Sequence, residues 1–362
     1  MDARLQAAIA GIRPTDPALE AEAQRRLDSL TKPPGSLGRL EALARQIYRV
    51  QRSHVASTVA PLAVDPARVY TVAGDHGIAA AGVSPYPQEV TRQMVLNFVG
   101  GGAGVNVLCR TAGVDIRVVD AGSAGDDFPE SPGLVRRKIA PGTANLLDEP
   151  AMTHEQCLSA LNLGLDLAAE ADAEGIRCVG LGEMGIGNTT PSTALYCAYL
   201  GLTPSEITGP GAGLLPEGVA RKTALIARAL ARHRGVVAEG DALDILAALG
   251  GLEIATLAGL TLGAAQRGLI VVVDGFIATA AFVAAWKLAP AVLDYAVCSH
   301  ASAEPGHRKI LAALGCAPLL HLDMRLGEGT GAALAMFLLR AAVNIFNEMA
   351  TFEEAGVSQA GG

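Results

Sequence analysis

The chain has 362 residues, above the size at which one hydrophobic core stops growing, so one large domain with an appendage or two unequal domains is expected. Half of the residues are hydrophobic, 4% are aromatic and 42 are glycine, which excludes a disordered chain and a small disulfide scaffold and favours close-packed helices with tight strand-to-helix turns. Lys and Arg number 28 against 36 Asp and Glu, a net charge of −8 with no basic block, so neither nucleic acid nor an anionic membrane is the expected partner. A small molecule or another copy of the chain remains.

The N-terminus carries acidic residues and lacks the continuous apolar stretch of a secretory signal, so a cytoplasmic location is expected. The six cysteines, at 109, 157, 178, 197, 298 and 316, have no C-x-x-C spacing and read as buried thiols of a reducing compartment. Residues 1–66 have a helical pattern: Asp16-Pro17 starts one helix, Lys32 to Ser36 breaks the chain, and Leu37, Leu40, Ala44 and Ile47 recur at helical spacing in the next. From about residue 68, short apolar runs alternate with longer helical patterns. The runs are Val69–Ala73, Ile116–Val119, Ile176–Leu181, Leu269–Val273, Val292–Cys298 and Leu319–Leu322. Strands rich in Val and Ile, not strictly alternating and separated by helices, predict a parallel sheet covered on both faces. Gly268 to Trp286 is apolar enough to suggest a membrane span, but Asp274 and Gly275 interrupt its centre, so a buried strand followed by a helix is expected. The last helical pattern, Ala332 to Met349, is apolar on most faces and suits a core or subunit-contact helix.

Each run leads into a Gly-rich or acidic segment: AGDHG (73–77), DAGSAG (120–125), GEMGIGNTT (182–190), DGF (274–276), SHASAEPGH (299–307) and DMRLGEGTG (323–331). Ligands of open α/β sheets bind outside the carboxyl ends of the strands, so these segments should meet in one crevice, as in an enzyme. Gly180-x-Gly182-x-x-Gly185 matches a dinucleotide fingerprint, but the acidic residue at the right distance, Glu206, follows Thr203-Pro204-Ser205, a helix start rather than a strand end. A narrower reading survives, in which Gly185, Gly187, Asn188 and Thr189 offer backbone and side-chain donors to one phosphate group, and Lys222 supplies a cation. His76, His300 and His307 lack metal-ligand spacing, His321 reads as a core strand histidine, and no G-x-S-x-G elbow is present. No metal is expected.

Glu328, between Gly327 and Gly329 at a strand-to-helix turn, is a carboxylate that a ligand can approach closely. Apolar neighbours such as Leu326 would raise its pKa toward proton transfer near neutrality, whereas the bland alternative is a carboxylate held by the dipole of its own helix. Glu183 and Asp274 are further acids at strand ends, and several acids without a metal suit a developing positive charge on a sugar carbon. The segment Ser84 to Met94 holds Tyr86 and Met94 on a proline-stiffened loop suited to a flat aromatic ligand.

Taken together, KPPGSLGRLE (32–41), AGDHGIAAAGVSPYPQEVTRQMV (73–95), GEMGIGNTTPSTAL (182–195), VVDGFIATAA (272–281), SHASAEPGHRKIL (299–311) and RLGEGTGAALA (325–335) resemble the nicotinate-nucleotide:dimethylbenzimidazole phosphoribosyltransferase family of cobalamin biosynthesis. The resemblance spans essentially the whole chain. It implies transfer of ribose 5-phosphate from nicotinate mononucleotide to 5,6-dimethylbenzimidazole by a cytoplasmic homodimer without cofactor. It also implies an α/β fold, with a Rossmann-like parallel sheet over 67–330 and helices on both faces. A smaller helical domain would draw on 1–66, with the C-terminal helix and tail, 331–362, packing on it or on a dimer interface. The family's general base falls on Glu328, its second acid on Glu183 and its phosphate lysine on Lys222. Gly185, Gly187, Asn188, Thr189, Asp274, Gly275 and Ser302 are expected around phosphate and ribose, and Ser84, Tyr86, Gln88, Met94, Met184 and Leu326 around the base. Two alternatives stay open: an NAD-dependent oxidoreductase and a non-catalytic nucleotide sensor.

Overall fold

The computed structural model describes residues 1–54 and 61–358; parts of the expected N-terminal segment and of the C-terminal tail lie outside those bounds. The described residues form six strands in one sheet: β1 (Ala67–Gly74), β2 (Asp115–Gly122), β3 (Leu134–Arg136), β4 (Cys178–Met184), β5 (Ile270–Val273) and β6 (Ala296–Cys298). All pairings are parallel, in the order β3-β2-β1-β4-β5-β6. The chain builds outward from β1 in one direction, then returns beside β1 with β4 and builds outward in the other. That reversal opens a crevice at the carboxyl ends of β1 and β4, the place where a doubly wound sheet binds its ligand.

Both faces are covered, as the apolar runs require. Tyr70 and Thr71, adjacent on β1, point to opposite sides. The Tyr70 hydroxyl donates to the Leu167 carbonyl at 3.3 Å in the helix His154–Ala173, and Thr71 Oγ1 donates to the Glu328 carbonyl at 2.8 Å. On the first side, the helix Leu252–Gln266 is buried on nearly every face. It lies in backbone contact with His154–Ala173 because Gly164 and Gly259 have no side chains; a Cβ on either would collide with the other helix's main chain. On the second side, the helix Thr330–Glu348 packs against β1, β4 and β5 and against the helices Arg39–His54 and Gly104–Ala112. Among the described residues it is the one helix long and apolar enough to cross a bilayer, and its Ala332, Ala333, Ala335, Met336 and Leu339 are buried in the core. The Gly268–Trp286 segment is β5 followed by the helix Phe276–Leu288, as its central Asp-Gly indicated.

Three expectations need correction. Val292–Cys298 is strand only over its last three residues, because Pro290 starts a 3-10 helix that runs to Tyr295. Leu319–Leu322 is not a strand but a single bridge from Leu320 to His300, and His321 is exposed there rather than in the core. The edge strand β3 has only three residues, none fully buried, so it left no apolar run to find.

Candidate active site

One cavity of about 660 Å³ opens at the carboxyl ends of β4, β5 and β6. Of the expected site residues, Tyr86, Met94, Glu183, Met184, Gly185, Asn188, Thr189, Gly275, Ser302, Leu326 and Glu328 line it. Five do not. Ser84 shapes the loop from behind, its hydroxyl accepting the Tyr86 N–H at 3.2 Å. Gln88 stands at the start of the helix Glu89–Val99, and Gly187 takes a positive φ of 88° in the turn before the helix Thr189–Leu200. Lys222 lies one layer back: its Nζ is buried and donates to Thr189 Oγ1 at 2.6 Å and to the Gly209 carbonyl at 3.3 Å. Asp274 lies beneath the floor.

Asp274 ends β5 and serves as the anchor of the helix Thr330–Glu348. Its Oδ2 accepts the Gly329 N–H at 3.1 Å and its Oδ1 the Ala332 N–H at 3.0 Å, satisfying donors that a helix start leaves open. Burial raises this carboxyl to about 7 against the pull of those N–H groups. This carboxylate is thus engaged by backbone donors and does not reach the cavity lining.

Glu328 is held in the left-handed region, φ 65°, between Gly327 and Gly329. The turn fits against β4 only because residue 182 is glycine: a Cβ there would collide with the Glu328 carbonyl. The carboxylate does not cap its own helix. Its Oε2 accepts the Val105 N–H at 3.1 Å, at the start of the helix Gly104–Ala112, and Gly104 leaves the space for it. Burial raises the Glu328 pKa, the Val105 N–H opposes this, and Asp274 adds to the rise.

Glu183 faces the same cavity from β4. Burial lifts it to about 8; Asn188 Nδ2, which donates to its Oε2, pulls the other way, and Asp274, Glu253 and Glu328 push it further up. Gly327 is the close neighbour of its Oε1, where a Cβ would collide. The two carboxyl groups therefore share one crowded, partly desolvated corner.

Thr189, Gly211, Ala212, Ser302, Glu304 and Arg325 supply polar groups to the same lining, with Arg325 donating to the Gly211 carbonyl at 3.4 Å and Lys222 behind Thr189. Burial lowers Lys222 to about 8 although Glu304 favours its charge. Gly211, Ala212, Glu304 and Arg325 were not singled out from the sequence; SHASAEPGH and DMRLGEGTG, which hold the last two, stood out after their strands, but nothing local aims them at one another. Phe276, Ile277, Ile186 and Val90 complete the apolar wall. Among the described residues no three His, Cys, Asp or Glu side chains converge as metal ligands.

The dinucleotide reading meets a geometric obstacle. Gly180 and Gly182 lie inside β4 rather than in the turn after it, where a pyrophosphate would have to sit. Their lack of side chains serves packing against Val69, Met336 and the Glu328 turn.

The family model described as "Phosphoribosyltransferase" matches residues 12–357. A protein of Nitratidesulfovibrio vulgaris (strain DP4), named nicotinate-nucleotide–dimethylbenzimidazole phosphoribosyltransferase, is 63% identical over 360 residues, 99% of each chain. One of the same name from Geobacter sulfurreducens is 51% identical over 355 residues, 98% of each chain. The crystal structure of CobT from Thermus thermophilus superposes with a TM-score of 0.88 at 48% identity, covering 95% of this chain and all of that one.

Proposed function

This chain belongs to the nicotinate-nucleotide–dimethylbenzimidazole phosphoribosyltransferase family, and on that premise we propose that it transfers ribose 5-phosphate from nicotinate mononucleotide to 5,6-dimethylbenzimidazole, with Glu328 as the base. The observation that carries the assignment of residues is that one cavity joins the carboxyl groups of Glu183 and Glu328 to Thr189, which is backed by the buried cation of Lys222. A phosphoribosyl group laid between them has its phosphate at the lysine end and its C1′ near the carboxyl groups. Tyr86, Met94 and Leu326 supply apolar surface for a ring beside Glu328.

The chemistry then balances without metal or redox help. A benzimidazole ring nitrogen attacks C1′, the bond from C1′ to the pyridinium nitrogen breaks, and its electron pair neutralises the departing nicotinate ring. The acceptor's N–H proton goes to Glu328. Attack from the face opposite the leaving group turns a β-nucleotide into an α-riboside, α-ribazole 5′-phosphate. Glu183 is protonated near neutrality in the empty cavity, and a pyridinium beside it favours its ionised form, placing negative charge where positive charge sits on substrate and sugar. Holding two rings about one C1′ supplies much of the acceleration.

The enzyme works as a homodimer in the cytoplasm. The six unpaired cysteines support a reducing compartment, and Phe337, 60% exposed on the helix Thr330–Glu348, with Val107 gives a second copy apolar surface to cover. The test is incubation with both substrates, following nicotinate and α-ribazole phosphate by liquid chromatography and mass spectrometry. Joint appearance of the two upholds the transfer; nicotinate alone, or no turnover by folded protein, rejects it.

A further inference from the structure

We propose that His300 reads the sugar of the nucleotide: its bare Nε2 accepts a hydrogen bond from a ribose hydroxyl, so that the enzyme favours a ribosyl over a deoxyribosyl group. The inference deepens the phosphoribosyl transfer proposed above and rests on it.

His300 follows β6 and lines the cavity, although it is only 1% exposed. Its ring is wedged against the start of the helix Thr330–Glu348, where a Cβ on Gly331 would collide with Nδ1. Two acceptors face that nitrogen. Ser299 Oγ, which donates its own proton to the Asp274 carbonyl at 3.1 Å, lies 3.0 Å from Nδ1, and Asp274 Oδ1 lies 3.7 Å from it. The ring proton therefore sits on Nδ1, and burial, which lowers the pKa to about 4, keeps a second proton off Nε2. Among the described residues nothing bonds to Nε2.

A Cβ on Gly275 would stand 3.5 Å from Nε2 and 3.9 Å from Ser302 Cβ, so the absent side chain leaves room between the two in the cavity lining. The Ser302 hydroxyl accepts the Glu304 N–H at 3.3 Å and keeps its own proton to donate. Ser302 is held in turn: its N–H donates to His307 Nδ1 at 2.9 Å, His307 Nε2 lies 3.0 Å from Thr279 Oγ1, and that hydroxyl donates to the Gly275 carbonyl at 2.7 Å. An acceptor and a donor thus flank Gly275, the pair that one hydroxyl group can satisfy.

The substrates offer few donors to Nε2. The dianionic phosphate and the nicotinate carboxylate only accept, and the one N–H of the benzimidazole goes to Glu328. The two ribose hydroxyls remain. A neutral acceptor also suits the neighbourhood of C1′, where an imidazolium would oppose the positive charge that grows in the reaction. A deoxy sugar leaves Nε2 buried and unpaired, the penalty through which a hydrogen-bonding site rejects an analogue that lacks the partner.

The test compares kcat/KM for nicotinate mononucleotide and its 2′-deoxy and 3′-deoxy analogues in the intact enzyme, His300→Leu and His300→Gln. The inherent reactivity of each sugar cancels when ratios are compared between forms. His300→Leu should lose about 10- to 100-fold on the mononucleotide. Its preference over one deoxy analogue should shrink by the same factor while its preference over the other persists, which identifies the hydroxyl. His300→Gln, whose amide oxygen reaches toward the place of Nε2, should regain part of that preference. Equal losses on all three nucleotides mean a structural role and overturn the proposal. Nitrogen-15 spectra of the intact protein labelled at histidine give a readout that needs no folded variant: one ring protonated at Nδ1 should shift at Nε2 on binding the mononucleotide, and one deoxy analogue should leave it unmoved. Absence of such a ring overturns the proposal. Turnover of the mononucleotide with no loss on either analogue removes the role of His300 alone, whereas no turnover by folded protein removes the transfer reading and the proposal with it.

Discussion

His76 Nε2 lies 2.6 Å from Glu253 Oε1, and both side chains are wholly buried. The pair sits beneath Gly185, where a Cβ would stand 3.3 Å from each of those atoms, so it supports the floor of the cavity. Burial works against the imidazolium, but the Glu253 carboxylate outweighs it and raises His76 above its usual value. In Glu253→Gln burial leaves His76 neutral and the ionic contact is lost, so the unfolding free energy is expected to fall by about 1–3 kcal/mol. A histidine with a raised folded pKa contributes stability that is complete below about pH 6.5 and is lost as pH rises through the folded value. Urea denaturation at several pH values checks both, and the variant should lose this pH dependence.

Glu328→Gln keeps the shape of the turn and the Val105 contact but cannot take a proton. Turnover should drop by about 10²- to 10⁴-fold while the mononucleotide dissociation constant changes little. Because the base works ionised and burial raises its pKa, the rate of the intact enzyme should fall as pH drops through a value above the ordinary carboxyl range. A pH profile of kcat together with ligand titration tests this; unchanged turnover removes Glu328 from its role.

Asp274→Asn replaces one accepting oxygen by an amide that faces a backbone N–H. Loss of this anchor should cost about 1 kcal/mol of stability, as for other helix caps, and release of the Gly329 N–H loosens the turn carrying Glu328. A kcat loss of about tenfold corresponds to a comparable change in barrier. Burial makes the neutral form of Asp274 the favoured one in the folded state, so its contribution is complete below the ordinary carboxyl range and is lost as pH rises through about 7. Thermal melts across pH should show a steeper decline near pH 7 in the intact protein than in Asp274→Asn, which keeps only the share of the other raised groups.

Gly182→Ala would drive a methyl group into the Glu328 carbonyl. Over-packing of this kind costs about 1–3 kcal/mol, and the turn is the part that has to yield. Single-turnover kinetics should show a slowed chemical step with nucleotide binding retained. Equal loss of both would mean that the strand, not the turn, gave way.

Lys222→Met removes the buried cation behind Thr189, and hydrogen bonds to charged groups are worth about 1.5–3 kcal/mol, or roughly 10- to 100-fold in KM for the mononucleotide. Burial lowers this lysine to about 8, so in the intact enzyme KM should rise as pH climbs through that value. Initial rates against nucleotide concentration at several pH values decide it.

The parallel sheet and the segments that form the cavity were legible because βα units announce themselves locally, as Val- and Ile-rich runs followed by Gly and acid. The strand β3 was not, since three half-exposed residues carry no burial pattern. Leu319–Leu322 misled for the opposite reason: its leucines are apolar, but the chain there makes only one bridge, at Leu320. The GxGxxG spacing misled because glycine serves close packing inside a strand as readily as it serves a turn.

The sequence by itself determined the chemistry on offer: carboxylates among glycines at 183 and 328, a donor-rich turn at 185–190, a lysine at 222 and a proline-stiffened segment with Tyr86 and Met94 at 84–94. Only the tertiary structure decided what each group does there. Glu328 rests on Val105, 223 residues away, rather than on its own helix, and Asp274, expected beside the substrate, anchors Gly329 and Ala332 instead. Glu304 and Arg325, remote from Thr189 in the chain, line the same cavity as it by folding alone. The reason is physical: residue type and spacing settle which donors and acceptors a segment carries, whereas burial and the identity of the facing group, which set charge and pKa, come from segments remote in the chain.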